Sequence, residues 1–248
     1  TNFFEFVGFQ VLKLYPKDLK IVVVSNYWKN FLKKMGFKNI TIIRNSFPRK
    51  LSERITFYSQ DSKTTDQKIF NNFYLGGAIS AKGWIDSVPS VRKYFKEAYI
   101  WISSENNILL NKEEKYFLNK YDVKLRIIRS YSEYLDALKQ SDCCIFNSNF
   151  NEGWNRTLVE AALMSNGIIF SREIGGMIDT ANIFNFINTF KNKNELNSQI
   201  RLLSDSNYSK KLEIISDNLK KKKLLLNEDF IKNFSEESFI GFWSKLLI

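Results

Sequence analysis

Histidine is missing altogether from this chain of 248 residues. It is the commonest general base and metal ligand near neutral pH. A Ser–His–Asp hydrolase, a zinc hydrolase or a histidine-dependent sugar epimerase therefore cannot be built from this chain alone. Cysteine is nearly as scarce: there are two, Cys143 and Cys144, side by side in an apolar run that reads as a strand. Neighbours on a strand point to opposite faces, so they do not bridge one another. Such usage points to a reducing, cytosolic compartment. No Asp-x-Asp pair occurs to hold a metal against a diphosphate, so no metal site is expected. Neither a signal peptide nor an apolar run long enough to span a bilayer is evident.

What is present is a well-stocked core. The chain is 44% hydrophobic and 15% aromatic, enough to exclude a disordered polymer. Its net charge of +11 favours polyanionic company, whether nucleotide phosphates, nucleic acid or an anionic membrane surface. Abundant Ile, Asn, Lys and Phe make compositional bias an equal share of that explanation. The run Lys220-Lys221-Lys222-Lys223, between Ile214-Ile215 and Leu224-Leu225-Leu226, reads as a solvated helix face. Phe230, Phe234, Phe239, Phe242 and Trp243 form an aromatic stripe that reads as core, or as a tail helix packed back across the domains.

Strand and helix signals alternate. Strands are expected at Lys20–Ser25, Ile40–Ile43, Asn72–Leu75, Ala98–Ile102, Val123–Ile128, Cys143–Ser148 and Gly167–Phe170. Helices are expected at Tyr27–Met35, Trp84–Lys96 with a restriction or kink at Pro89, Lys112–Tyr121, Tyr131–Leu138, around Leu158, from Asn192 onward, and over Glu228–Ile248. Residues 44–68, with Pro48 and the polar run Gln60–Asp66, are the best boundary. The pattern implies an α/β fold, a Rossmann-like parallel sheet with helices on both faces. Ligands of such sheets bind at the carboxyl ends of strands.

One stretch concentrates the chemistry: Asn151-Glu152-Gly153-Trp154-Asn155-Arg156-Thr157-Leu158-Val159-Glu160-Ala161-Ala162. It follows the Cys143–Ser148 strand and turns into an apolar helix, whose first N–H groups have no partner within it and attract an anion. Glu152 and Glu160 lie on either side of that turn, where each can accept hydrogen bonds from hydroxyls flanking the anion. A phosphate between two polyols is the shape of a nucleotide sugar. The turn Gly76–Gly83 falls at the same sheet end.

These residues resemble glycosyltransferase family 4, the group 1 glycosyltransferases of the GT-B fold. The matching pattern is Ser148, Glu152-Gly153-Trp154-Asn155 and Glu160-Ala161, together with Leu75-Gly76-Gly77-Ala78-Ile79-Ser80-Ala81-Lys82-Gly83 and, upstream, Val23–Ser25 through Lys38–Ser46. The resemblance covers most of the chain, chiefly as the donor-binding domain. It implies that residues 1–47 are the last part of an incomplete acceptor-side Rossmann-like domain, that 48–230 bind a nucleotide-sugar donor, and that 231–248 form the tail helix.

The resemblance further implies a retaining, metal-independent transfer of sugar from a nucleotide-diphosphate sugar to a glycan or lipid-linked acceptor. No cofactor is involved, because the nucleotide sugar is a substrate. Lys82 and Glu152 would be the catalytic pair: Lys82 on the diphosphate with Gly77 and Gly83, Glu152 on the transferred sugar. Gly153, Trp154, Asn155 and Thr157 would offer N–H groups or a hydroxyl to the phosphates. Glu160 would hold the ribose, and Arg129 and Tyr131 would lie near the base. Peripheral contact with an anionic membrane at its cytoplasmic face is compatible with the charge, and no specific nucleic acid is expected. Two departures stand out: the Gly77 region lacks the arginine that commonly precedes Lys-Gly, and Ser103-Ser104-Glu105-Asn106-Asn107 replaces a Gly-rich turn. Rival readings are a non-catalytic sugar-nucleotide-binding or partner domain and a basic nucleic-acid binder.

Overall fold

The computed structural model describes residues 11–47, 70–104, 110–204 and 228–247, with single positions 51, 54, 217, 221, 222, 225 and 226 besides. In chain order the elements are β1 (Ile21–Val23), α1 (Asn26–Lys34), β2 (Ile40–Ile42), β3 (Asn72–Gly77), a 3₁₀ turn (Ser80–Lys82), α2 (Trp84–Tyr94), β4 (Tyr99–Ser104), α3 (Lys112–Lys120) and β5 (Val123–Ile127). There follow α4 (Tyr131–Lys139), β6 (Cys143–Phe146), α5 (Arg156–Met164), β7 (Ile168–Arg172), α6 (Gly176–Ile183), β8 (Asn188–Phe190), α7 (Lys193–Ser204), α8 (Glu228–Asn233) and α9 (Glu236–Leu247). Pro48, Gln60–Asp66, Glu105–Asn107, Ile214, Ile215, Lys220, Lys223 and Leu224 lie outside the described residues.

Six strands form one parallel sheet in the order β5-β4-β3-β6-β7-β8, while β1 and β2 make a separate parallel pair. Alternation within the buried strands explains why both sheet faces are apolar. On β6, Cys144 and Phe146 join one core, with Tyr74, Trp101, Leu158 and Met177. Cys143 and Ile145 join the opposite core, with Phe73, Trp84, Ile100 and Leu196. The two thiols therefore point to opposite faces; both are buried, and neither is in a disulfide.

The chain order reverses between β3 and β6. From β3 it runs outward to β4 and β5, then returns across the sheet to β6 and continues to β7 and β8. Loops leaving β3 and β6 consequently diverge from adjacent strands and leave a crevice between them. The expected sheet is thus present, with a crevice at its switch point.

Local chemistry accounts for several boundaries. The strand expected over Lys20–Ser25 stops at Val23, because Ser25 is the N-cap of α1 and its hydroxyl accepts the Trp28 N–H at 3.4 Å. Helix α2 runs unbroken through Pro89. The carbonyl that the proline ring would crowd belongs to Ile85 in the first turn, and Trp84, Val88 and Val91 are fully buried against the sheet. Helix α6 and strand β8 went unanticipated: both are short, and the sequence of β8 is largely polar. The aromatic stripe divides. Phe230 and Phe234 pack on the core around α5 and α6, whereas Phe242 and Trp243 of α9 are exposed.

The small β1–α1–β2 unit meets the main sheet through α1 and α6. Asp179 of α6 accepts the Tyr27 N–H of the α1 first turn at 2.9 Å, satisfying a donor that has no partner within that helix. We predict that Asp179→Ala lowers stability by about 1–2 kcal/mol, as loss of a helix cap does. The Tyr27 amide should also exchange faster with solvent. Unchanged exchange at Tyr27 would show that this contact does not hold the two parts together.

Candidate functional site

The crevice between β3 and β6 is fixed by backbone contacts that tolerate no side chain. Gly83, left-handed at φ 75°, ends the 3₁₀ turn; a Cβ there would stand 1.7 Å from the Asn147 carbonyl oxygen. Asn147 Nδ2 bonds Ser87 Oγ at 3.2 Å, and Asn149 donates its backbone N–H to Ala81 O at 2.9 Å. The two loops are therefore laced together, which brings Lys82 against Glu152. On the far side, Gly176 donates its N–H to Glu152 O at 2.6 Å, and a Cβ on Gly176 would lie 1.8 Å from Gly153 O. The backbone at Glu152–Gly153 is clamped between the β3 loop and the start of α6.

Glu152 is 6% exposed, and both of its oxygens are engaged. Lys82 Nζ lies 2.8 Å from Oε2, and Asn155 Nδ2 donates to Oε1 at 2.9 Å. Asn155 is also the N-cap of α5: its Oδ1 accepts the Leu158 N–H and the Thr157 hydroxyl, each at 2.8 Å. One side chain thus orients the carboxylate and opens the helix. The Lys82 ammonium sits 5.0 Å from the Phe150 ring centre.

Glu160, 2% exposed, is held in a second arrangement one helical turn above Arg156. Its Oε1 accepts from Arg156 Nε at 2.7 Å and from the Tyr131 hydroxyl at 2.8 Å. Burial pushes the Tyr131 pKa above its ordinary value, and the charge of Glu160 pushes it further. Tyr131 accordingly stays protonated and remains a donor. Burial likewise raises Tyr134, whose hydroxyl lies 3.2 Å from that of Tyr74.

These groups border a cavity of about 710 Å³ across the carboxyl ends of β3, β4 and β5 and the N-termini of α4 and α5. Of the residues singled out in the sequence, Gly77, Arg129, Tyr131, Thr157 and Glu160 line it. Lys82, Gly83, Glu152 and Asn155 stand beside it in the laced loops. Gly153 and Trp154 face elsewhere. A Cβ on Gly153 would meet Val24 and Trp28, and the Trp154 ring stacks on Phe234 at 6.2 Å. The Trp154 side chain is therefore packing that fastens the motif to Phe234, just past the end of α8. Sequence reasoning assigns no site role to Arg156, Tyr134 or Phe150, and Ser103 and Ser104 stand out there only as replacing a Gly-rich turn. The spacing of Arg156 to Glu160, four positions on a helix, was the available signal.

No protein-family model and no curated protein match the sequence. Solved structures do. The chain is similar to sucrose-phosphate synthase from Thermosynechococcus elongatus, with a TM-score of 0.67 and 13% identity over 97% of this chain and 61% of that one. It is similar to HepE of Anabaena in complex with UDP and glucose, with a TM-score of 0.66 and 14% identity over 97% of this chain and 65% of that one. It is also similar to a trehalose-6-phosphate synthase studied for glycosyl transfer with retention, with a TM-score of 0.66 and 10% identity over 98% of this chain and 64% of that one. The chain has the GT-B glycosyltransferase fold. It spans about three fifths of the length of these structures. Within that fold, the crevice between β3 and β6 and the cavity beside it form the candidate site.

The raised Tyr131 pKa carries a pH signature. The folded state holds the phenolic proton more tightly than the unfolded state, so the stability contributed is complete below about pH 10 and is lost as pH rises further. We predict that stability measured by urea unfolding falls less steeply above pH 10 in Tyr131→Phe than in the parent. Parallel slopes would contradict the assigned Tyr131–Glu160 bond.

Proposed function

We propose that this chain supplies the donor site of a retaining, metal-independent glycosyltransferase. It would move a sugar from a nucleotide-diphosphate sugar to a glycan or lipid-linked acceptor. The observation that carries the reading is the pair of buried carboxylates, each held by a cation, flanking the N-terminus of α5 at the switch point of the sheet. A nucleotide sugar presents that pattern in complement: hydroxyls at both ends and negative charge between them. The Anabaena structure with UDP and glucose and the trehalose-6-phosphate synthase work on retention support the same reading by likeness of fold.

In this scheme the diphosphate lies over the start of α5, where the Arg156 and Thr157 N–H groups precede the first intrahelical bonds. Lys82 leaves Glu152 for the diphosphate, and Glu152, still oriented by Asn155, accepts hydroxyls of the sugar. Glu160 accepts hydroxyls of the ribose. The base extends toward Arg129 and Ser130 at the mouth of β5. The anomeric carbon–oxygen bond to the diphosphate breaks. A bond to the acceptor oxygen forms on the same face, and the acceptor proton passes to the departing phosphate oxygen. Charge developing on that oxygen is met by Lys82 and by the helix N-terminus, so no metal is required for it. The nucleotide sugar is a substrate, and no cofactor takes part. The net charge of +11 supports work at the anionic cytoplasmic face of a membrane, without sequence-specific binding of nucleic acid.

The test is thermal unfolding with UDP, GDP, ADP or inorganic phosphate, followed by turnover of the matching nucleotide sugars. A ligand at about 100 times its Kd stabilises by about 2.7 kcal/mol. For a chain of this size that is a shift of roughly 5–11 °C. One diphosphate should give it, and Glu160→Ala should abolish it. Lys82→Ala should cut turnover by about 10²–10³, as loss of one charge-stabilising donor does. Equal small shifts with every anion, unaffected by Glu160→Ala, would overturn the reading. A diphosphate shift without turnover of any donor would make the chain a sugar-nucleotide-binding module.

A further inference from the structure

The α5 N-terminus receives an anion that carries charge on two phosphates, yet the Lys82–Glu152 pair supplies a single cation. Among the described residues, Arg129, Arg156 and Arg172 stand at this end of the sheet. Arg172 at the end of β7 is committed to the chain itself, donating to Ser148 O at 3.3 Å and Asn149 Oδ1 at 2.8 Å. Arg129 lies at the mouth of β5, across the cavity from the β3 turn. Arg156 is the first residue of α5, lines the cavity beside Thr157, and keeps its side chain 61% exposed while bonding Glu160 through Nε.

We propose that Arg156 is the second diphosphate-binding cation, and that it reaches the phosphates by exchanging partners with the ligand. This rests on the donor-site reading above. Without ligand, Arg156 and Tyr131 share one oxygen of Glu160. When the ribose hydroxyls bond Glu160, the carboxylate no longer needs the guanidinium, because Tyr131 and the ribose satisfy it. The guanidinium, released at the first turn of the helix, turns onto the adjacent phosphates. It binds them with its planar fork of N–H groups, which matches phosphate geometry. The Lys82–Glu152 pair makes the corresponding exchange at the sugar end. Each carboxylate trades a cation for a hydroxyl, and each cation trades a carboxylate for a phosphate.

The consequence is selectivity by coincidence. A bare phosphate finds both cations already paired, and a bare nucleoside must displace Arg156 with nothing to receive it. A ligand carrying both groups satisfies all four side chains together. The site therefore selects nucleoside diphosphates over their separate parts by coupling, beyond the contacts that each part makes alone.

Calorimetric titration of the full chain with UDP, GDP and ADP, with uridine, guanosine and adenosine, and with inorganic pyrophosphate tests this. Arg156→Leu is compared with the parent. Because Arg156 is largely exposed, the variant should fold; Arg156→Gln, which keeps a donor near Glu160 without the charge, serves as the second variant. The diphosphate that binds the parent should weaken about tenfold in both, the worth of one charge-assisted contact. Its nucleoside should hold within about twofold or tighten, since no cation has to be displaced. Equal weakening of nucleoside and diphosphate would make Arg156 a positioning residue for Glu160 and overturn the exchange, as would no change in either. If no diphosphate binds the parent, the donor-site reading fails first and this inference with it.

Discussion

Two carboxylates are buried at the mouth of a parallel sheet, and the rest of the site is arranged around the need to satisfy them. An ionised carboxylate taken out of water without a partner costs several kcal/mol. Glu152 is answered by Lys82 and Asn155, Glu160 by Arg156 and Tyr131. These answers come from three elements, the 3₁₀ turn, α4 and the capped start of α5, and the Lys82–Glu152 pair meets because β3 and β6 are neighbours in the sheet. The glycines at 83 and 176 let the loops approach to backbone contact. The Asn155 cap fixes the direction of α5, and the Trp154 stack on Phe234 holds the motif from behind. Ion pairs placed at a solvent-facing crevice in this manner add little net stability. Under the proposed function, their value lies in a charge pattern that a ligand takes over.

A chain without histidine limits what that ligand can undergo. Histidine, the side chain whose ordinary pKa lies near neutrality, is missing from the sequence. A reaction whose proton moves between the acceptor and the departing phosphate asks no such residue of the protein. Under the proposed function, this chain contributes position and charge: two cations, two carboxylates and the N-terminus of a helix. The tyrosines fit this economy. Tyr131 is held as a proton donor by burial and by the charge it serves, and Tyr74 and Tyr134 bond one another behind it.

Much of this was legible in the sequence. The Glu152–Glu160 spacing, the strand before it and the Gly76–Gly83 turn were enough to place two glutamates around a helix N-terminus at the sheet end, because helical period and strand alternation are local properties. The β-α alternation identified the sheet for the same reason. The partners of those residues were harder to see. Tyr27 and Asp179 are 152 positions apart, and no local pattern signals their bond. Trp154 sits inside the motif yet serves the core, since its environment is set by Phe234 far along the chain. Arg156 reads as an ordinary exposed helix residue until the cavity is seen. Pro89 reads as a restriction or kink in its helix, and the helix continues through it with three buried side chains packed on the sheet.

The most direct test of the central claim is a crystal structure of the chain with the nucleoside diphosphate that stabilises it best. The account places the diphosphate over the first turn of α5, with the ribose on Glu160. It requires that Lys82 Nζ, now 2.8 Å from Glu152 Oε2, have moved to a phosphate oxygen. A nucleotide bound elsewhere, or one bound here with both ion pairs intact, would contradict it.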